Sequence, residues 1–222
     1  MNKRSFLMFL ILLVSINIVL AAPGGANVTE GASSGASGTS STSTNIEDGN
    51  VTFLDVYSQQ VTGKWAGFFG NVSGAIVLGD SSNNLFYSWT ISNFDGAVVY
   101  ASNDTVSNWG DANILVANTS VVPSFIDGDG ADNFTNTFSA NEAFTSSSLN
   151  KANTPYAQTW QDGSQGNLKT YALYSAADNA NIWAGLVDDD SASFQGAAVT
   201  VDYQILLPAQ ALTTYNFYLE LP

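Results

Sequence analysis

Between residue 51 and the C-terminus, no window of a dozen residues sustains an apolar repeat of about 3.6, which argues against an ordinary helical domain. In its place are short apolar or alternating runs separated by clusters of Gly, Asn, Asp and Ser, the pattern of strands joined by turns. Eleven runs read as strands: residues 51–57, 74–78, 85–91, 97–101, 114–117, 121–126, 134–138, 168–174, 182–187, 198–206 and 215–221. Two of them alternate cleanly. Val199, Val201, Tyr203 and Ile205 share one face of the first, and Tyr215, Phe217, Leu219 and Leu221 share one face of the last. Residues 139–153 form the best helix candidate, weakened by the serines at 146–148. Residues 139–155 and 160–167 read as long connections of the kind that carry function. The expected fold is therefore all-β, an antiparallel two-sheet β-sandwich of Greek-key or jelly-roll type, with a closed barrel as the alternative. The last run is expected to return beside 198–206 as a hairpin, because the connection after Pro208 is short.

The N-terminus reads differently. Lys3 and Arg4 precede an apolar run, residues 6–20, broken only by Ser15 and Asn17, and the small residues Ala21 and Ala22 follow. This is the order of a secretory signal, expected over residues 1–22 as a signal helix, with cleavage after Ala21. The alternative is an uncleaved anchor, and only in that case is a membrane a partner. Residues 23–46 are dominated by Gly, Ala, Ser and Thr, too poor in apolar area to offset the entropy of ordering, and read as a flexible, disordered linker. A single β-sandwich domain is expected over residues 47–222. The chain has no cysteine, so an exported domain must rest on its core, for which thirteen Phe, nine Tyr and five Trp supply bulk.

Charge and missing residue types narrow the chemistry. Beyond the signal, Lys64, Lys151 and Lys169 stand against 19 acidic residues, a balance that repels phosphate backbones and excludes nucleic acid as a partner. With neither His nor Cys in the chain, Ser-His-Asp and Cys-His nucleophile systems are impossible, as are His-ligated zinc sites. Paired carboxylates would suffice for glycoside hydrolysis, but no spacing marks a pair, and the chain reads as a non-enzyme without a cofactor.

Three residue groups remain as site candidates. Asp127, Asp129 and Asp132 lie in a Gly-rich segment whose oxygens suit a structural calcium ion; a solvated turn explains the same residues. Asp188, Asp189 and Asp190 follow the run 182–187, where solvent is the commoner answer to three adjacent charges. Six Asn-X-Ser/Thr sequons, at Asn27, Asn50, Asn71, Asn103, Asn118 and Asn133, predict a glycoprotein if the chain is exported. Among the tryptophans, Trp89 and Trp183 sit inside apolar runs and read as core, whereas Trp109 and Trp160 lie beside loops and are candidates for stacking on sugars.

Several stretches carry a resemblance: residues 71–80, 85–90, 99–102, 133–138 and 215–221, including a Gly-x-Ile-x-Leu-x-Asp strand, a Tyr-x-Trp strand and a closing Tyr-x-Phe-Tyr-x-Glu-Leu strand. These resemble a group of secreted archaeal proteins of unknown function, over most of residues 51–221. The similar proteins often contain cysteines, so no disulfide is carried over. The resemblance implies a secreted or cell-surface setting and no reaction. Together these features predict an extracellular structural protein, self-assembling in a surface layer, matrix or filament. Its partners would then be itself, other surface components or glycans. The alternatives are a carbohydrate- or surface-binding adhesin module and, behind it, a carboxylate-only glycosidase.

Overall fold

The computed structural model describes residues 24–28, 40–46, 49–79, 84–91, 93–209 and 214–222. The expected signal segment lies outside the described residues. Among the described residues, no helix is long and apolar enough to cross a membrane.

The protein is an antiparallel two-sheet sandwich. Its larger sheet is built from β1 (Gly24–Val28), β17 (Tyr215–Glu220), β8 (Val98–Ser102), β13 (Ala180–Leu186), β12 (Ser164–Ser175), β11 (Asn150–Gln161) and β10 (Ala140–Thr145), in that order. A short strand, β9 (Ile114–Val116), also pairs with β12. The smaller sheet runs β16 (Tyr203–Pro208), β4 (Trp65–Gly70), β3 (Gly49–Val61) and β2 (Ser40–Ile46), with β5 (Val72–Ser73) also on β3. Two ribbons complete the strands: β6 (Ala75–Gly79) with β7 (Leu85–Thr90), and β14 (Ser191–Ser193) with β15 (Gly196–Val201).

The large sheet is covered on both faces, and cross-strand register shows how. Phe217, Ala101 and Trp183 stand side by side on β17, β8 and β13, facing β16 and β4. There they meet Trp65, Phe68, Tyr203 and Ile205, with Trp65 and Trp183 edge to face at 5.5 Å. One residue along each strand the side chains turn over. Tyr218, Tyr100 and Ala184 face a second core closed by Val106, Trp109, Phe144 and Leu149. Period-2 alternation therefore feeds two cores, and all five residues of β8 are buried. That double burial explains why the run 97–101 reads as continuously apolar rather than alternating.

The structure differs from the sequence expectation at several elements. Residues 121–126 and 134–138 are not strands: α1 (Ser124–Asp127) and α2 (Phe134–Thr137) are single helical turns. Asn133 caps α2, its side chain accepting from Asn136 N at 2.8 Å. The turn also brings Phe134 and Phe138, four residues apart, into a stack at 5.2 Å. Residues 139–153, the helix candidate, are β10 and the start of β11. The serines at 146–148 make the turn between them, with Ser146 N donating to Leu149 O and Leu149 N to Ser146 Oγ. The expected loop 160–167 is a two-residue hairpin turn in which Asp162 and Gly163 take φ of 46° and 75° between paired Gln161 and Ser164. β17 lies in its own sheet as expected, but beside β8 and not beside 198–206. β16 has crossed to the smaller sheet to pair with β4, so the chain returns to the larger one. In the stretch read as linker, Gly24–Val28 and Ser40–Ile46 are strands on β17 and β3. Main-chain hydrogen bonding asks nothing of the side chains that composition scores.

Candidate functional site

Three surface features stand out from this scaffold, and each is set by where the strands end. The first is acidic. Asp189, Asp190 and Asp202 place carboxylate oxygens within 4.8 Å of one another, the one such grouping of three acidic side chains among the described residues. The turn after β13 brings the first two against Asp202, which stands between β15 and β16. Asp202 is 4% exposed. Its carboxylate accepts from Val72 N at 2.6 Å and from Asp190 N at 3.1 Å, so backbone amides hold the buried charge. Asp95, from the segment joining β7 to β8, accepts from Asp189 N at 2.7 Å. Partial burial and the neighbouring charges of Asp202, Asp190 and Asp95 push the Asp189 carboxyl above its ordinary value. Asp95 moves down instead, because Asp189 N and the Asn93 amide donate to it. Chemically the cluster offers oxygens to a proton or to a hard cation.

The loop expected to bind calcium is arranged otherwise. Asp127, Asp129 and Asp132 do not form such a grouping. The Lys64 ammonium donates to Gly128 O at 3.0 Å and to Asp129 O at 2.8 Å, placing a side-chain cation on the loop carbonyls. Trp65 Nε1 donates to Asp132 O at 2.6 Å. The other two described lysines are also held. Lys151 pairs with Asp111 at 2.8 Å; Lys169 reaches both Glu142 oxygens, at 2.8 and 2.9 Å, and lies over the Tyr156 ring.

The second feature is a groove of about 520 Å³ between β11, β16 and β4. Trp160, 61% exposed, and Phe194 form its aromatic lip, and Phe69 packs edge to face on Phe194 at 5.1 Å. Gln204 crosses behind it, its Nε2 donating to Thr159 Oγ1 and Trp160 O and its Oε1 accepting from Phe194 N. The lining residues include no Asp, Glu, Lys or Arg. Gly166 supports the lip from the side: a Cβ there would collide with the Gln161 side chain, whose Oε1 accepts from Leu168 N and whose Nε2 donates to Ala192 O. Of the two tryptophans expected beside loops, only Trp160 is exposed. Trp109 is 7% exposed, packed between Tyr100 and Tyr218 at 5.0 and 4.9 Å.

The third feature is the β6–β7 ribbon. All six residues of β7 are exposed, with Phe86 at 83% and Leu85 at 63%, and Trp89, expected in the core, stands out to solvent beside Tyr87 at 4.7 Å. β6 lies alongside β3, while β7 pairs only with β6 among the described residues. The strand over 85–91 is legible in the sequence; its exposure is not.

Of the sequons, Asn71, Asn103 and Asn118 are exposed, Asn133 is the half-buried cap of α2, and Asn27 and Asn50 lie in β1 and β3. No protein-family model, curated protein or solved structure matches the chain.

Proposed function

We propose that this chain is a non-enzymatic extracellular or cell-surface structural protein that assembles with itself in a surface layer, matrix or filament. The observation that carries the reading is the β6–β7 ribbon. A two-stranded ribbon is marginal in water on its own, and this one holds Leu78, Leu85, Phe86, Tyr87 and Trp89 in solvent. Contiguous exposed apolar surface of that kind marks contact with another molecule. The export signal read at residues 1–22, the sequons and the resemblance to secreted archaeal proteins agree with such a role. The test is sedimentation of the full-length chain over a wide concentration range, with electron microscopy of the concentrated sample. Oligomers or ordered arrays that grow with concentration are expected, and a monomer at every concentration would overturn the reading.

A second reading, a glycan-binding module, draws on the groove. Sugar rings stack on exposed indole faces, and a neutral lining suits a neutral ligand. Its test is a glycan array with wild type and Trp160→Ala, in which binding lost with the indole would favour the module.

A further inference from the structure

We infer that β7 is the strand through which two copies of this chain join, edge to edge and antiparallel, turning two β6–β7 ribbons into one four-stranded sheet. This rests on the self-assembly reading and names its partner and its geometry. Three observations lead to it.

The first is the edge. Among the described residues β7 has β6 on one side and no strand on the other, which leaves a row of backbone donors and acceptors to template a further strand. Protected edges are short or charged, or carry proline. Residues 85–90 carry no charge and no proline.

The second is charge. The chain has a formal net charge of −14, so two copies repel wherever acidic surface meets acidic surface. The strand β7 and Ile91 after it hold none of the 19 acidic residues. An uncharged strand lets like-charged copies approach, whereas an acidic or basic partner would find no complement there.

The third is area. Leu85, Phe86, Tyr87 and Trp89, on the pairing strand itself, are 48–83% exposed, on the order of 400 Å² of apolar surface per copy. Edge pairing covers the flanks of these side chains and leaves the sheet faces open, so the contact is smaller than a standard interface of about 1,600 Å² and rests as much on the new main-chain hydrogen bonds. A two-fold pairing centred on Ser88 sets Tyr87 of each copy opposite Trp89 of the other and Phe86 opposite Thr90. Aromatic side chains then face one another across the new edge, the kind of cross-strand pair that stabilises a sheet. The small hydroxyl of Ser88 sits at the axis.

The chain has no cysteine, which makes the geometry directly testable. In full-length Ser88→Cys, symmetric pairing brings the two new thiols face to face. Mild oxidation or a short thiol-to-thiol cross-linker should convert most of the protein to a covalent dimer. Ala112→Cys, on an exposed loop, should stay largely monomeric under the same treatment. Phe86→Ser should weaken association at least tenfold by sedimentation, with an unchanged melting curve. If wild type associates while Ser88→Cys links no faster than Ala112→Cys and Phe86→Ser associates normally, the β7 interface is wrong and the assembly reading stands. If wild type does not associate at any concentration, both fail.

Discussion

β7 and β8 are close in sequence, both apolar and aromatic, and opposite in fate. Leu85–Thr90 is exposed along its whole length, whereas Val98–Ser102 is buried along its whole length. Hydrophobicity does not separate them; position does. β8 enters the large sheet between β17 and β13, where each face meets a core. β7 turns back on β6 at the margin and meets neither. A strand's burial is thus decided by which strands flank it and what lies above and below, quantities fixed only when the whole topology is in place. The pair also separates two uses of the same side chains, since aromatics bury a large area wherever they are covered, by their own chain or by another molecule.

The sharpest way to break that comparison is to shorten one aromatic in each environment. Trp183 is buried beside β8, touching Trp65, Phe134 and Phe138. Trp183→Ala should cost about 3–5 kcal/mol, a fall in melting temperature of roughly 10 °C or more for a domain of this size. Phe86→Ala should leave the melting temperature of the dilute protein within about 2 °C, as expected of an exposed position. Thermal unfolding of both variants at low concentration checks the contrast, and a large loss at Phe86 would mean that β7 is covered within its own chain.

A smaller effect tests how β8 tolerates a polar group on a face buried from water. Tyr100 donates to Glu220 at 2.5 Å, and the other Glu220 oxygen accepts from Ser148 N at 2.6 Å. Glu220→Ala leaves Tyr100 only its 3.1 Å bond to Ser146 Oγ and takes the acceptor from part-buried Ser148 N, and should cost about 1–3 kcal/mol by urea unfolding. Burial first, and then the adjacent Glu220 charge, push the Tyr100 phenol well above its usual range; burial also raises Tyr171 and Tyr218. A raised tyrosine pKa contributes stability that is fully present below about pH 10 and is lost as pH climbs beyond it. Tyrosinate absorbance and loss of β-sheet signal should therefore rise together in alkali. Tyrosines ionising well before unfolding would contradict the buried placement of this trio.

How much of this was legible in the chain divides along the same line. The two-sheet class, β8, β13 and the alternating faces of 215–221 follow from period and turn residues, which are local. Residues 198–206, by contrast, split between β15 and β16, with Val199 exposed and Gln204 buried. β4, β10 and β11 were missed because they break the pattern. Gly67 and Gly70 dilute β4, and the serines before β11 imitate a loop although they form a tight turn. Asp162–Gly163 carries a hairpin signal, but it sits inside residues 160–167, whose remaining composition reads as a loop. The acidic grouping was only half visible. Asp189 and Asp190 stood out as neighbours, but Asp202 comes from the far end of another ribbon, and a lone Asp in an alternating strand gives no sign of it. Exposure of Trp160 and burial of Trp109 were equally out of reach, since both sit beside turn residues and differ only in what folds over them.

The smallest expected effect lies where the two strands join. Asp95, between β7 and β8, belongs with Asp189, Asp190 and Asp202 to one crowded set of carboxylates. Burial and like charges hold the Asp189 pKa above its unfolded value, so its contribution to stability is present at low pH and is lost as pH rises through the folded pKa. At neutral pH the ionised side chain is a net cost. Asp189→Asn removes that cost and keeps a donor for Asp202, so the variant should melt about 1–2 °C higher at pH 7 in the presence of a chelator, the scale of a surface charge change. Wild type and variant should converge as pH falls and wild-type Asp189 takes up its proton. Repeating the pair in millimolar calcium separates repulsion from coordination. If the cation stabilises wild type more than Asp189→Asn, the junction holds the ion through its carboxylates. If the calcium and chelator curves coincide, the cluster is a point of repulsion that the exposed ribbon carries at its base.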